Sequence, residues 1–112
     1  MRDYRLYLED ILKAIKSVDK YTKDLTFGKF KKNKLVIDAV VRNLEIVGEA
    51  AKNVPVDIRN KFPEIEWKKI SGLRDILTHE YFGVDLQILW DVVKNKLPDL
   101  KKEISKLLKE IK

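Results

Sequence analysis

The chain has 112 residues, of which 45% are hydrophobic, with 24 Lys and Arg against 18 Asp and Glu and a formal net charge of +6. This length and apolar content predict one domain over residues 1–112 and argue against disorder. Cysteine is absent, which excludes disulfide bonds and thiolate metal sites, and His79 as the one histidine argues against a zinc site. The basic excess indicates either a lysine-rich solvated surface or attraction to nucleic acid.

Neither a secretory signal nor a membrane span is predicted. The first ten residues carry charge throughout, and no apolar run approaches the roughly eighteen residues that a spanning helix needs. Together with the absence of cysteine, these features favour a cytoplasmic protein without membrane contact.

Amphipathic helices are predicted for most of the first half of the chain. Apolar residues spaced by three and four predict a helix from Asp3 to about Tyr21. Asn33 is a suitable N-cap for a longer helix that ends near Asn53. Between these helices, residues 24–32 are expected to form a solvated connection with a short turn.

The second half is predicted to be helical as well. After a short helical turn, a helix begins at Trp67 and ends at about Glu80, with Gly83 as its left-handed stop. Asp85 is expected to cap the last helix, which is kinked at Pro98 or divided there into two nearly collinear helices. No strand pattern is present, so the fold class is all-α, an antiparallel bundle of about four to five helices.

The long helix carries polar residues of two kinds. Asn43 lies among apolar residues, so it should either bond a backbone group or enter a polar site. Gly48 in this helix, and Gly72 in the next, suggest that another helix approaches closely. The remaining polar residues form a single stripe typical of a solvated face with ion pairs. This stripe consists of Asp38, Arg42, Glu45, Glu49 and Lys52.

The segment Ser71–Asp85 holds the residues best suited to chemistry. Arg74 precedes His79 by five positions, and Tyr81 follows His79 by two. This spacing alone is a weak signal, because on a regular helix the arginine and the histidine point about 140° apart. For both to act on one substrate, the helix must distort near His79 or a second copy of the chain must supply the partner. Asp75, one turn before His79, could orient the imidazole and favour its protonated form.

An arginine and a histidine in one cleft suit metal-independent cleavage of RNA. The imidazole can take the proton from a ribose 2′-hydroxyl or protonate the leaving oxygen. The guanidinium can bind the phosphate bidentately and stabilise the charge that develops on the phosphorane. The attack leaves a 2′,3′-cyclic phosphate or its opened product. No phosphate-loop, zinc-protease or hydrolase motif is present, and no cofactor or metal is predicted.

Three blocks of the sequence closely resemble the HepT-like toxins of the HEPN superfamily: MRDYRLYLEDILKAI, AVVRNLEIVGEAAKNVP and FPEIEWKKISGLRDILTHEYFGVD. The resemblance covers nearly the whole chain. It implies a helical-bundle homodimer that associates through the helices flanking the R-x4-H segment, with the ribonuclease site at the interface. By this resemblance, Arg74 and His79 are the catalytic pair, and Asp75 is the polar residue that commonly follows the arginine.

The resemblance also implies a protein partner. Many members of this family are encoded beside a minimal nucleotidyltransferase antitoxin, which adenylylates the tyrosine of an R-x4-H-x-Y sequence. The segment from Arg74 to Tyr81 fits that pattern. The implied function is that of a type VII-like toxin whose partner uses ATP to modify Tyr81, adding charge and bulk where RNA phosphate must bind. The alternative for Tyr81 is an aromatic packing residue at a helix end.

Two other functions fit the same residues. One is a non-catalytic subunit that binds a nucleotide or docks the transferase through Asn43, Glu49 and Arg74. The other is a helical dimerisation protein without site chemistry. The leading interpretation is the homodimeric ribonuclease, and there Asn43 and Glu49 are candidate supporting residues beside the catalytic pair.

Overall fold

The computed structural model describes the backbone of residues 3–79 and 85–111, and their side chains except those of residues 74–79. Its helical segments are α1 (Tyr4–Thr22), α2 (Phe27–Phe30), α3 (Lys34–Asn53), α4 (Val56–Lys61), α5 (Trp67–His79), α6 (Leu86–Asp91), a π-helical turn (Val92–Lys96) and α7 (Leu97–Glu110). These described ranges contain no strand, which confirms the all-α fold class. None of the described helices has the length and apolar content needed to cross a membrane.

Side-chain caps determine where three of the helices begin. Asp3, Asn33 and Asp85 each accept a hydrogen bond from a backbone N–H two or three residues later, at 3.0, 3.1 and 2.8 Å. Each cap satisfies an N–H group that has no partner inside the helix, and it contributes about 1 kcal/mol. The predicted N-caps at Asn33 and Asp85 are confirmed.

Helix α3 lies at the centre of the bundle. Helices α1 and α5 pack against it, and α7 packs against α1. The connections between α1, α3 and α5 contain the short helices α2 and α4, and each of these long helices packs against the next one in the chain. The apolar positions spaced by three and four on α1 and α3 form the core. Fully buried residues of this core include Leu8, Ile11, Ile15 and Val18 of α1 and Val40, Leu44 and Val47 of α3.

Helix α2 anchors the C-terminal helices to the bundle. The Phe30 side chain is fully buried, and its ring centroid lies 4.8 Å from that of Trp90 on α6. Phe27 contacts the same indole at a centroid distance of 6.3 Å. The short turn predicted in this connection is confirmed, but the connection is not solvated throughout, because the two rings pack on Trp90.

The last helical stretch is continuous but irregular. The Leu97 N–H bonds to the Val92 carbonyl, which closes a π-helical turn immediately before Pro98. Proline has no N–H and its ring clashes with the carbonyl four residues earlier, so a wider turn accommodates it. The prediction of a helix distorted at Pro98 is confirmed, and the distortion precedes the proline.

The two glycines of the central helices have different surroundings. Gly48 is buried in α3. Gly72 in α5 is half-buried, and a Cβ added there would meet no described atom within 4 Å. The prediction that another helix of the same chain approaches closely is therefore wrong for Gly72.

Candidate functional site

Helix α5 carries the R-x4-H segment. Its backbone is α-helical from Trp67 to His79, so Arg74, Asp75 and His79 all belong to it. The side chains of these three residues lie outside the described part of the structure, as does the whole of Tyr81. The predicted helix end near Glu80 and the predicted stop at Gly83 also lie outside the described residues.

The regular helix separates the two proposed catalytic positions. At 100° and 1.5 Å per residue, positions 74 and 79 lie about 140° apart around the axis and about 7.5 Å apart along it. The helical backbone continues through His79 without a π or 3₁₀ turn. Positions 75 and 79 lie one turn apart on the same side of the helix, as required for an aspartate that orients the imidazole.

Trp67 anchors the beginning of α5. Its side chain is buried, and the indole N–H donates to the Phe62 carbonyl at 3.0 Å. Ser71 donates its hydroxyl to the Trp67 carbonyl at 2.9 Å. Ile70 and Leu73, three and six residues after Trp67, pack against the core and remain partly exposed. These contacts hold α5 against α3 up to the residue before Arg74.

A groove of about 780 Å³ lies between α4 and the beginning of α5. Apolar Val56 and Pro63 line it together with the basic residues Arg59, Lys68 and Lys69. The Nε of Arg59 is buried and has no hydrogen-bond partner in the structure. A nitrogen this buried is not accessible to a ligand in the groove, so its missing partner does not by itself indicate a binding site. Sequence reasoning missed this residue, because α4 is too short for its spacing to indicate which side chain is covered.

A second cavity, of about 380 Å³, lies between α5, the π-helical turn and α7. Burial raises the pKa of the Glu103 carboxyl in this cavity, and the nearby carboxylates of Glu64, Asp99 and Glu66 raise it further. In contrast, the hydrogen bond from Lys69 at 2.7 Å lowers the pKa of Glu66. Lys69 and Lys96 line the same cavity, so its three carboxylates and two ammonium groups give it a formal charge of −1, which makes it a poor phosphate site.

Asn43 and Glu49 lie on different sides of α3. Asn43 is half-buried, and its Nδ2 donates to the Ala39 carbonyl at 2.8 Å. It therefore bonds the backbone of its own helix, the first of the two outcomes that the sequence allowed. Glu49 is exposed and follows six residues later, about 120° around the helix. Helix α3 therefore does not bring these two candidate supporting residues to one point.

The remaining polar residues of α3 form the predicted surface stripe. Lys34 bonds Asp38 at 2.8 Å, and Arg42 lies 3.7 Å from Glu45. Exposed ion pairs of this kind contribute roughly 0–1 kcal/mol each, so the stripe keeps the helix solvated more than it stabilises the fold. The interpretation as a solvated face with ion pairs is confirmed.

A bundle in which α5 carries R-x4-H, packed on a long and largely buried α3, defines the class of HEPN-type ribonucleases. A sequence model of the family described as Ribonuclease HepT-like matches residues 11–107. This match covers most of the chain, including all of α3 and the described α5 and most of α1 and α7. The chain belongs to the HepT-like ribonuclease family.

Individual relatives extend the similarity to nearly the whole chain. The chain is 46% identical over 110 residues to "Putative RNase MJ0127" of Methanocaldococcus jannaschii, covering 98% of this chain and 91% of that protein. It is 44% identical over 108 residues to "Probable ribonuclease HepT" of Thermococcus cleftensis, covering 96% and 98%. "Gamma-glutamylcyclotransferase and putative RNase MJ0434" of M. jannaschii is 46% identical, with 98% of this chain but 50% of that protein covered. No solved structure matches the chain.

Proposed function

We propose that this protein is the toxin of a type VII-like toxin–antitoxin pair, a metal-independent endoribonuclease that acts as a homodimer. Membership of the HepT-like family supports RNA as the substrate. The observation that carries the dimeric site is the regular helix of α5 through His79. Because this helix holds positions 74 and 79 about 140° apart, a cleft between two copies of α5 is what unites an arginine with a histidine.

The surroundings of Gly72 support a second copy at α5. Glycine destabilises a helix interior by about 1 kcal/mol relative to alanine, and no described atom would lie within 4 Å of a Cβ added at Gly72. Positions 72 and 79 lie about 20° apart around α5, so a second α5 that approaches at Gly72 brings the two copies of His79 close together. Position 74 lies about 160° from Gly72, so each Arg74 must reach this cleft from its edge.

In the proposed mechanism, the 2′-oxygen of the substrate forms a bond to phosphorus as the bond to the 5′-oxygen breaks. A neutral His79 imidazole accepts the 2′-hydroxyl proton, and an imidazolium protonates the departing 5′-oxygen. Arg74 binds the phosphate and stabilises charge on its oxygens. Asp75 positions His79 and favours its charged form. Asn43 and Glu49 lie on different sides of α3, so at most one of them is a candidate supporting residue for this cleft.

Substitution of the proposed catalytic pair tests the nuclease. Arg74→Ala and His79→Ala should each lower RNA cleavage at least about a hundredfold, because each removes a group that acts in the transition state. Circular dichroism should show the same helix content as wild type. Arg42→Ala, an exposed arginine on α3, serves as the matched control and should cleave normally. Cleavage by both site variants at the wild-type rate would sink the assignment.

A mixing experiment tests whether the site is composite. Arg74→Ala and His79→Ala chains are each inactive alone, but a mixed dimer contains an intact arginine from one copy and an intact histidine from the other. Recovery of RNA cleavage on mixing is therefore expected for a site shared between copies. If the mixture stays inactive while mixed dimers are present, the pair acts within one chain.

Adenylylation of Tyr81 is the proposed means of inactivation. Incubation with ATP and the nucleotidyltransferase should raise the intact mass by one or more AMP groups and abolish RNA cleavage, because the added phosphate repels the substrate. Tyr81→Phe should prevent the mass change, whereas Tyr21→Phe, which alters an exposed tyrosine on α1, should not. A mass increase in Tyr81→Phe equal to that of wild type would assign the modification to another residue.

The groove beside Arg59 favours a second function, that of a non-catalytic subunit that binds a nucleotide or docks the transferase. Arg59, Lys68 and Lys69 line this groove beside Glu66, which pairs with Lys69 at 2.7 Å, and the basic excess suits a phosphate or an acidic side chain. This alternative predicts that wild-type protein does not cleave RNA but still binds the transferase. Arg59→Gln would then weaken that complex, whereas it should leave RNA cleavage by a nuclease unchanged.

A further inference from the structure

Three shallow grooves along the outer side of α1, the π-helical turn and α7 form one continuous surface. The first two share Lys20, and the second and third share Asp19 and Pro98. We name this surface the lysine face. Its lysines are Lys13, Lys16, Lys20, Lys23, Lys94, Lys101, Lys102, Lys106 and Lys109, and its carboxylates are those of Glu9 and Asp19.

The lysine face holds the whole charge excess of the protein. With nine of the 24 basic and two of the 18 acidic residues, it has a formal charge of +7, and the rest of the chain has a formal charge of −1. A surface that was uniformly rich in lysine for solubility would spread this excess over the molecule. Its lysines lie within about a Debye length of their neighbours at physiological salt, so their fields add.

The lysine face is separate from the R-x4-H segment. No described residue of α5 lines it, and α3 lies between α1 and α5. Helix α7 borders both regions with opposite sides: Leu97, Leu100 and Glu103 line the cavity beside α5, whereas Lys102, Lys106 and Lys109 belong to the face. An RNA phosphate at the lysine face is thus separated from α5 by at least the width of one helix, and it is not the phosphate that is being cleaved.

The chemistry of the face selects its ligand. Lysine ammonium groups are point charges that bind phosphate without the bidentate geometry by which arginine reads guanine. Trp90 is covered by Lys94 at 4.7 Å and packed on Phe30, so the one described aromatic ring open beside the face is that of Tyr21, which is 42% exposed. Lys101 and Lys94 are held by Asp19 and the Thr22 carbonyl, at 3.7 and 3.2 Å, while most other lysines of the face are exposed.

We infer that the lysine face binds the phosphate backbone of substrate RNA outside the cleaved bond, without reading its base sequence. The inference rests on the proposed ribonuclease function for the identity of the nucleic acid. The face then supplies affinity for long RNA, while the cleft at α5 supplies the chemistry. Short substrates that do not reach the face gain nothing from it.

The test is a fourfold substitution of exposed lysines on the face: Lys16→Gln, Lys20→Gln, Lys102→Gln and Lys106→Gln. Glutamine keeps the helix propensity, so α1 and α7 should remain folded. The matched control has the same change in net charge at exposed positions outside the face: Lys29→Gln, Lys32→Gln, Lys52→Gln and Lys61→Gln. Both sets are placed in His79→Ala protein so that the RNA stays intact, and circular dichroism verifies the fold.

Fluorescence anisotropy of a labelled RNA hairpin over about 50 to 200 mM salt gives the affinity and its salt dependence. Each lost phosphate contact should lower the slope of log K against log salt by about 0.7 to 0.9, so the fourfold variant should lose about 3. Its affinity at the lowest salt should fall at least about tenfold, and the control should bind like the parent. The inference would be overturned if the face variant and the control variant bound the hairpin with equal affinity, whether both bound like the parent or both bound more weakly.

Cleavage assays separate this inference from the proposed nuclease. With His79 intact, the fourfold variant should cleave a dinucleotide at the wild-type rate and the hairpin more slowly. If wild type cleaves neither substrate, the nuclease proposal fails, and the anisotropy result still decides whether the face binds RNA. If the fourfold variant loses binding to vesicles of anionic phospholipid while hairpin binding is unchanged, the face contacts lipid and the inference is overturned.

Discussion

Helices α1 and α5 both pack against α3, but they differ in how completely their own chain covers them. The inward residues of α1, among them Leu8, Ile11 and Ile15, are 0% exposed. On α5, Ile70 and Leu73 remain partly exposed where they line the cavity beside α7, and a Cβ added at Gly72 would meet no described atom within 4 Å. The difference indicates that the described residues of the chain cover the inward side of α1 more completely than that of α5.

The outer sides of the two regions differ in charge as well. The solvent side of α1 belongs to the lysine face, whereas the α7 side of α5 is bordered by Glu66, Asp99 and Glu103. Phosphate is attracted to the first and repelled by the second. RNA that reaches α5 should therefore approach its side away from the acidic cavity.

The largest effect expected from this comparison is a loss of stability in α1. Ile11→Ala leaves a cavity in the core and should lower the free energy of unfolding by about 3 kcal/mol. Leu73→Ala on α5 should cost less than half as much, because its side chain is only partly buried. Urea denaturation at fixed protein concentration measures both, and Leu35→Ala, 80% exposed, is the control with an expected change under about 0.5 kcal/mol. Equal losses for Ile11→Ala and Leu73→Ala would remove the distinction between the helices.

A smaller and opposite effect is expected at Gly72. Gly72→Ala should raise the free energy of unfolding of the monomer by about 0.5–1 kcal/mol. Glycine loses more backbone entropy on folding than alanine does, and the added Cβ meets no described atom within 4 Å. In a dimer that approaches at this position, the same Cβ should weaken association. Sedimentation over a range of concentrations measures the dimer, and Gly28→Ala in α2 is the control. A more stable protein with unchanged association would place the dimer interface elsewhere.

The smallest expected effect is at Glu103. Its pKa is raised above the ordinary value of 4.5, mainly by burial, so the folded protein holds this proton more tightly than the unfolded chain. That contribution to stability is present below pH 4.5 and is lost as the pH rises through the folded-state pKa. Glu103→Gln should therefore raise stability at pH 7 by much less than the core substitution changes it, and should give no gain well below pH 4.

Thermal melts at the two pH values test this, with Glu110→Gln at the exposed end of α7 as the control. If Glu103→Gln raised the stability equally at both pH values, the gain would not come from the raised pKa of Glu103. The size of the gain at pH 7 also measures how strongly the α7 side of α5 disfavours a negative charge, in contrast to the lysine face on α1.

Local interactions explain most of what the sequence predicted correctly. The caps at Asn33 and Asp85 depend on one side chain and an N–H a few residues away, so residue type and position suffice to identify them. The burial of Phe30 against Trp90 and the unpaired Nε of Arg59 were not predicted. Both depend on which elements distant in sequence meet, and no spacing within α2 or α4 carries that information.

The candidate site was also predicted from the sequence only in part. The sequence predicted the positions of Arg74, His79 and Tyr81 from a motif and its flanking blocks. The structure adds that α5 stays helical through His79, which makes a partner copy necessary for convergence in the proposed mechanism.

By itself, the sequence determined the helices, most of their starting points and the family, because periodicity, capping and motif spacing are properties of short stretches. Only the tertiary structure decided that α3 lies between α1 and α5, that the space at Gly72 is open, and that nine lysines form one face. These three features arise from the packing of helices far apart in the chain. Their geometry is determined by how whole apolar surfaces fit together.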